Sequence, residues 1–128
     1  MPHPNDATLT LNDMNSYKTL IIEDEWLIRA ELKNMLSHYP NIELVGEATN
    51  VMDAIKLHHE LKPDLVFLDI QLPGGSGFDF LDRVNGHFKL VFITGFDQYL
   101  DEAKNYQAID YLMKPINKKK LSKVIQKL

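Results

Sequence analysis

The stretch that most constrains the fold is an apolar run that ends on a carboxylate. Leu65-Val66-Phe67-Leu68 is followed directly by Asp69, and a proline and three glycines lie within the next eight positions. Four consecutive apolar residues are typical of a strand that is buried on both faces within a parallel sheet. The proline and glycines predict a turn at its end. Open α/β sheets bind ligands at the carboxyl ends of their strands, so Asp69 is the first candidate for a functional side chain.

Strand and helix patterns alternate five times along the chain. Each apolar strand is followed by apolar residues at helical spacing, although the pattern of the fourth helix, roughly residues 98–105, is weaker. This alternation predicts an α/β fold, a doubly wound five-stranded parallel sheet with five helices and right-handed crossovers. The predicted strands are Thr19–Ile22, Ile42–Ala48, Leu65–Asp69, Leu90–Thr94 and Ile109–Met113.

Polar side chains follow four of these strands at the point where each one ends. Because the carboxyl ends of parallel strands open on one edge of the sheet, we expect these side chains to share one crevice. They are Glu23 and Asp24 after the first strand, Asp69 after the third, Thr94 after the fourth and Lys114 after the fifth.

This set of side chains predicts a site that accepts a phosphoryl group on Asp69. Crowded carboxylates repel one another unless a cation lies among them, and Mg²⁺ prefers oxygen ligands. The set contains neither Cys nor His, which argues against zinc. A Lys ammonium suits a phosphate oxygen, and a Thr hydroxyl can donate to another. Phosphoryl transfer needs positioning and charge neutralisation above all, and carboxylates form phospho-enzyme intermediates.

Composition bounds the class of protein. The 128 residues suit one domain, and a formal net charge of −4 argues against direct nucleic-acid binding. The absence of cysteine excludes disulfides and zinc-thiolate sites. We find no apolar run of about 20 residues and no secretory signal, so we expect a cytoplasmic protein without a membrane span. Residues 1–17 are polar and predict a flexible tail, which leaves 18–128 as the domain.

Four motifs in order, LIIEDE, LVFLDIQLPGGSGFDFL, VFITG and DYLMKPI, resemble those of response-regulator receiver domains in two-component signalling. The resemblance runs from about Lys18 to Leu128 and implies a flavodoxin-like receiver fold. It implies that Asp69 is the phospho-acceptor. It also implies a Mg²⁺ or Mn²⁺ site whose ligands are Glu23, Asp24, Asp69 and the backbone carbonyl of Gln71.

The same resemblance implies a conformational switch. Thr94 matches the switch hydroxyl, Tyr111 the aromatic switch position and Lys114 the lysine of the family, with Lys114-Pro115 usually a cis bond. The phosphoryl donor would be a sensor histidine kinase or a phosphotransfer protein. Phosphorylation would change the surface of the fourth helix, fifth strand and fifth helix, which we expect to form a homodimer or to contact an output partner.

The segment ITGFDQYLDEAKNYQAIDYLMKPI resembles, more closely, receivers that precede LytTR-type DNA-binding domains. This likeness implies control of transcription through a C-terminal domain outside this chain. The alternatives are a stand-alone receiver that acts by protein–protein contacts, and a Mg²⁺-dependent phosphatase of the haloacid-dehalogenase kind. Such phosphatases share an Asp-x-Asp motif at the nucleophile. In this chain Gln71 occupies the position of the second Asp, so we expect that the protein is not an enzyme.

Overall fold

The computed structural model describes residues 16–128, and the predicted tail lies outside this range apart from its last two residues. Five strands form one parallel sheet in the order β2-β1-β3-β4-β5. The order confirms the predicted doubly wound architecture, because the chain turns back past β1 to add strands on both sides. The strands are β1 (Tyr17–Ile22), β2 (Ile42–Ala48), β3 (Leu65–Asp69), β4 (Lys89–Thr94) and β5 (Asp110–Met113).

Five helices cover the two faces of the sheet. Asn50 begins the second helix by accepting a hydrogen bond from the Asp53 N–H, and Asn117 caps the last helix in the same way through Lys119 and Lys120. Ser76 and Asp79 form a reciprocal capping box at the third. The helices are α1 (Trp26–Leu36), α2 (Val51–Leu61), α3 (Gly77–Arg83), α4 (Leu100–Ala103) and α5 (Lys118–Gln126).

Each face of the sheet has its own apolar core. Alternate residues of β3 point to opposite faces, so Val66 and Leu68 pack on one side, and Leu65 and Phe67 on the other. The first core includes α2 and α3, and the second includes α1 and α5. All five residues of β3 are buried, as the apolar run predicted, and this central strand holds Asp69 at a fixed place in the sheet.

The fourth helix differs most from its prediction. Only Leu100–Ala103 is α-helical, and 3₁₀ turns at Asp97–Tyr99 and Lys104–Tyr106 flank it. We call residues 97–106 the α4 segment. Two tyrosines of the segment form hydrogen bonds with neighbouring elements, Tyr99 with Gln71 and Tyr106 with Asp82.

Smaller differences concern element ends. β1 begins at Tyr17, inside the range predicted as tail, since the Tyr17 N–H bonds the Asn41 carbonyl and its hydroxyl donates to the Leu128 carbonyl. β5 begins at Asp110, one residue later than predicted. Over residues 16–128, no helix has the length and apolar character that crossing a bilayer would need.

Candidate functional site

Three carboxylates meet at the carboxyl edge of the sheet. Glu23 is fully buried, Asp69 is 3% exposed, and Asp24 lies at the surface. Each can bring one oxygen within 4.8 Å of the others. This is the convergence that the strand-end pattern predicted, and it follows from β1 and β3 being neighbours in register, Ile22 beside Leu68.

The surrounding backbone fixes these acids. The Glu23 N–H donates to the Ala48 carbonyl at 3.0 Å, and Arg29 Nη1 donates to the Glu23 carbonyl at 2.8 Å. Asp69 Oδ1 accepts a hydrogen bond from the Gln71 N–H at 3.2 Å. These contacts hold the backbone on both sides of the pocket floor.

Gly77 allows the chain to pass close to the end of β3. A Cβ at this position would lie 2.5 Å from the Asp69 carbonyl oxygen, and the Gly77 N–H donates to the Ile70 carbonyl at 2.7 Å. Between Ile70 and Gly77 the chain forms a hairpin whose short strands are Gln71–Leu72 and Gly75–Ser76. The glycine signal after Asp69 therefore reflects a sharp return of the chain beside the site.

Lys114 places its ammonium among the acids. Its Nζ lies 3.1 Å from Asp69 Oδ2, 3.2 Å from Glu23 Oε2 and 2.6 Å from Glu25 Oε1. The side chain is 12% exposed. The Lys114 N–H bonds the Thr94 carbonyl at 2.9 Å, and the Lys114-Pro115 bond is cis. The resemblance assigned no role to Glu25, although it is the third acid of the Glu-Asp-Glu run and ends the LIIEDE motif.

The charges of the site shift two pKa values. Burial, followed by the nearby Glu23 carboxylate, raises the pKa of Asp69 to about 7, although Lys114 acts in the opposite direction. Burial alone would lower the pKa of Lys114, but its hydrogen bonds to Glu25 and Glu23 and the charge of Asp69 raise it instead. The pocket is thus short of positive charge even with its lysine.

The residues of the predicted switch lie beside this cluster, without hydrogen bonds to its acids. The Thr94 hydroxyl donates to the Phe96 carbonyl at 3.1 Å and accepts from the Phe96 N–H at 3.0 Å. Tyr111 is half-buried, and its ring stacks on Phe92 with centroids 6.0 Å apart.

Gln71, the predicted backbone ligand of the metal, is exposed, and its side-chain Nε2 donates to the Tyr99 hydroxyl at 2.9 Å.

Five large apolar side chains are exposed in the described range, and all five lie at this edge of the sheet. Each belongs to the last residue of a strand or to the first residues after one. Large exposed apolar side chains at one edge of a sheet are candidates for contacts with a partner. We call it the apolar rim, and its members are Trp26, Leu27, Met52, Phe96 and Met113.

Comparison with known proteins agrees with this geometry. A family model described as the response regulator receiver domain matches residues 19–126. The transcriptional regulatory protein BtsR of Salmonella typhi is 42% identical over 113 residues, which cover 87% of this chain and 47% of that protein. A response regulatory protein of Vibrio cholerae is 40% identical over 111 residues, covering 85% of this chain and 47% of the relative. The chain thus spans about half the length of these relatives.

Solved structures show the same fold. The response regulatory domain of mrkE from Klebsiella pneumoniae has a TM-score of 0.79 at 31% identity, covering 87% of this chain and 93% of that one. The REC domain of AraT from Geobacillus stearothermophilus has a TM-score of 0.79 at 30% identity, covering 87% and 91%. The extent of the family match and the identity to these relatives both show that this chain belongs to the response regulator receiver domains of two-component signalling.

Proposed function

We propose that this domain accepts a phosphoryl group on Asp69 from a phosphohistidine of a sensor kinase or phosphotransfer protein. The supporting observation is the position of a buried carboxylate beside two further acids and a lysine. An oxygen of Asp69 attacks the phosphorus, the phosphorus–nitrogen bond of the donor breaks, and the imidazole leaves. The product is an aspartyl phosphate, which carries a charge near −2.

The acidic cluster fits a divalent cation. Glu23 Oε1 is buried and accepts no well-aligned hydrogen bond, although the Lys114 Nζ lies 2.9 Å from it. Hard oxygen donors in this number are what Mg²⁺ prefers, and Mn²⁺ accepts the same set. The residues that would hold the ion are Glu23, Asp24, Asp69 and the backbone carbonyl of Gln71. The bound ion supplies charge neutralisation at the phosphoryl oxygens.

Lys114 and Thr94 recognise the phosphoryl group once it is attached. The Lys114 ammonium already lies 3.1 Å from Asp69 Oδ2, so it can pair with a phosphoryl oxygen after a small movement. The Thr94 hydroxyl leaves the Phe96 backbone to donate to another oxygen. Tyr111, which packs beside β4 on Phe92, then moves inward toward the space that Thr94 vacates.

We infer that the output surface is formed by α4, β5 and α5. Five exposed polar residues of both charge signs lie there, which allows pairing with a second copy or an effector. In the longer regulators that this chain resembles, the output would be transcription through a DNA-binding domain in the cytoplasm. A doubling of mass by light scattering on phosphorylation would support the homodimer. These five, which are not the only exposed polar residues there, belong to the α4 segment and to α5, and they are Gln98, Asp101, Lys104, Lys118 and Lys119.

The test of phosphorylation is incubation with acetyl phosphate and Mg²⁺, followed by mass spectrometry of the intact protein. We expect an adduct of about 80 Da, one phosphoryl group, that is absent in Asp69→Asn and without Mg²⁺. Asp101→Asn is the matched control, because the Asp101 side chain is 96% exposed and remote from the acids, and it keeps the adduct.

The same assay separates the alternatives. Rapid turnover of a phosphate ester without a lasting adduct would favour the haloacid-dehalogenase-like phosphatase. A protein that gains no mass and turns over nothing would favour an interaction module that never carries phosphate. An adduct that persists in Asp69→Asn would assign the acceptor to another residue.

A further inference from the structure

One hydrogen bond of the site has no part in the roles described above. The Gln71 side-chain Nε2 donates to the Tyr99 hydroxyl at 2.9 Å, although the two residues are 28 positions apart. Gln71 opens the hairpin after β3, and Tyr99 ends the first 3₁₀ turn of the α4 segment. The bond therefore bridges two loops that leave neighbouring strands of the sheet, β3 and β4.

The hairpin has little structure of its own. Its strands are two residues each, and both glycines of its turn have positive φ, 83° at Gly74 and 146° at Gly75. The Val51 N–H bonds the Pro73 carbonyl at 3.3 Å near the tip, and Gly77 bonds Ile70 at the return. The Tyr99 hydroxyl adds a tie on the Gln71 side, where the chain leaves Asp69.

Both ends of this bond lead to the reacting groups. On one side, the Gln71 N–H donates to Asp69 Oδ1 at 3.2 Å. On the other side, the Tyr99 ring packs edge-on against Phe96, whose backbone bonds the Thr94 hydroxyl. Tyr99 is thus the contact between the loop that follows the acceptor and the loop that follows the switch hydroxyl.

We propose that Tyr99 is a positioning residue that holds Gln71 in the conformation in which its backbone carbonyl meets the divalent cation. This inference rests on the proposed function, because the metal site is part of it. Tyr99 acts through Gln71 and touches neither the ion nor the phosphoryl group. Movement of the α4 segment and occupancy of the metal site are then coupled through the bond between Tyr99 and Gln71.

The α4 segment contains a matched control. The Tyr106 hydroxyl donates to Asp82 Oδ1 at 2.9 Å, and its ring stacks on Phe78 with centroids 5.1 Å apart. Tyr106→Phe therefore removes a similar tyrosine hydrogen bond from the same segment. Neither of these Tyr106 contacts involves the hairpin after β3, so the control separates a general loosening of the segment from a loss at Gln71.

The experiment measures Mg²⁺ affinity rather than phosphorylation. Calorimetry measures this affinity directly, and the emission of Trp26, the single tryptophan of the chain, is a second readout if it changes on Mg²⁺ addition. We expect Tyr99→Phe to weaken Mg²⁺ binding by about 2- to 10-fold, the range of one hydrogen bond. Tyr106→Phe leaves the affinity unchanged.

A double-mutant cycle assigns the effect to the bond itself. Gln71→Leu weakens binding as Tyr99→Phe does, and adding Tyr99→Phe to Gln71→Leu causes no further loss. Equal affinities of wild type and Tyr99→Phe, or an undiminished loss in the Gln71→Leu background, would overturn the role of Tyr99 while leaving the proposed function intact. A wild-type chain that binds no Mg²⁺ would overturn both.

Discussion

Lys114 lies among three carboxylates that compete for one ammonium. Its Nζ is within 3.2 Å of oxygens from Glu23, Glu25 and Asp69, and two of those acids are buried. Burying charges is costly unless each has a partner, so the lysine offsets a repulsion that the site would otherwise carry. A divalent cation at the same acids would relieve the same repulsion.

Replacement of this lysine tests that balance. We expect Lys114→Met to lower the free energy of unfolding by about 2–4 kcal/mol without Mg²⁺, because it leaves Glu23 and Asp69 without a cation. Mg²⁺ should recover more stability in the variant than in the wild type. Urea denaturation with Mg²⁺ or with a chelator measures both effects.

The control for this comparison is Lys104→Met, which removes an exposed pair with Asp101 and should cost less than about 1 kcal/mol. If Lys114→Met were as stable as Lys104→Met without Mg²⁺, the ammonium would not be balancing the acids.

Much of the site could be predicted residue by residue, because each acid or base follows an apolar strand. The sequence did not indicate that Glu25 shares Lys114, since helix-start acids are common for other reasons. Nor did the sequence indicate the role of Asp110, a buried acid that accepts hydrogen bonds from Lys120 and Lys127. Burial alone would raise the pKa of Asp110, but these two bonds and the one from the Tyr111 N–H lower it. These three ion pairs depend on the reach of lysine side chains between separate elements.

At the scale of single elements, α2 contains a titratable group on its buried face. His58 is 6% exposed, its ring lies edge-on to Phe80 and Phe88 at 6.0 and 5.3 Å, and its Nδ1 has no hydrogen-bond partner. Burial, followed by the adjacent His59, lowers the pKa of His58 below its usual 6.5. The helix therefore packs best when this imidazole is neutral.

The lowered pKa gives a pH dependence with a defined sign. In the unfolded chain His58 binds a proton near pH 6.5, whereas the folded chain resists it, so the unfolded state binds more protons as pH falls through 6.5. His58 thus contributes stability fully above pH 6.5, and that contribution decreases on acidification. Denaturation in urea from pH 8 to pH 5 should show a smaller decrease for His58→Leu than for wild type.

His87→Gln is the control, because His87 is exposed, and its decrease should match that of the wild type. Identical pH slopes for His58→Leu and wild type would show that this histidine does not limit the packing of α2. The slope that one group can add is at most about 1.4 kcal/mol per pH unit.

The α4 segment is the element whose structure the sequence predicted least well. Helical spacing identifies an element by its apolar stripe, but residues 97–106 are held by tyrosine hydroxyls and by ring contacts instead. The strands β3 and β4 were easier to predict, because an apolar run of four residues depends little on its neighbours. The first residues of three strands, at Tyr17, Lys89 and Asp110, depended on pairing that the sequence does not show.

At the scale of the whole molecule, the described surface is asymmetric. The exposed large apolar side chains are gathered in the apolar rim around the acidic pocket. In the proposed function, a protein donor would contact this rim when its phosphohistidine reaches Asp69, whereas a small phosphodonor would not. The two kinds of donor should therefore respond differently to changes in the rim.

Leu27→Ser tests this difference, because Leu27 is exposed on α1 and is not among the residues that bind the ion. We expect phosphoryl transfer from a phosphotransfer protein that serves the wild type to slow by at least about fivefold. Phosphorylation by acetyl phosphate should be unchanged. Equal slowing with both donors would indicate damage to the pocket, and no slowing with either would exclude Leu27 from docking.

In the proposed switch, the hydrogen bonds of the Thr94 hydroxyl also determine how rarely the unphosphorylated domain adopts the active arrangement. Both the donor and an acceptor position of this hydroxyl are occupied by its own loop. Releasing two such bonds costs about 1–3 kcal/mol, so the domain without phosphate would reach the active arrangement in roughly 15% of molecules or fewer. If Thr94 is the switch residue that we propose, spontaneous output would stay low for that reason, and a small phosphorylated fraction would stand out from the unstimulated background.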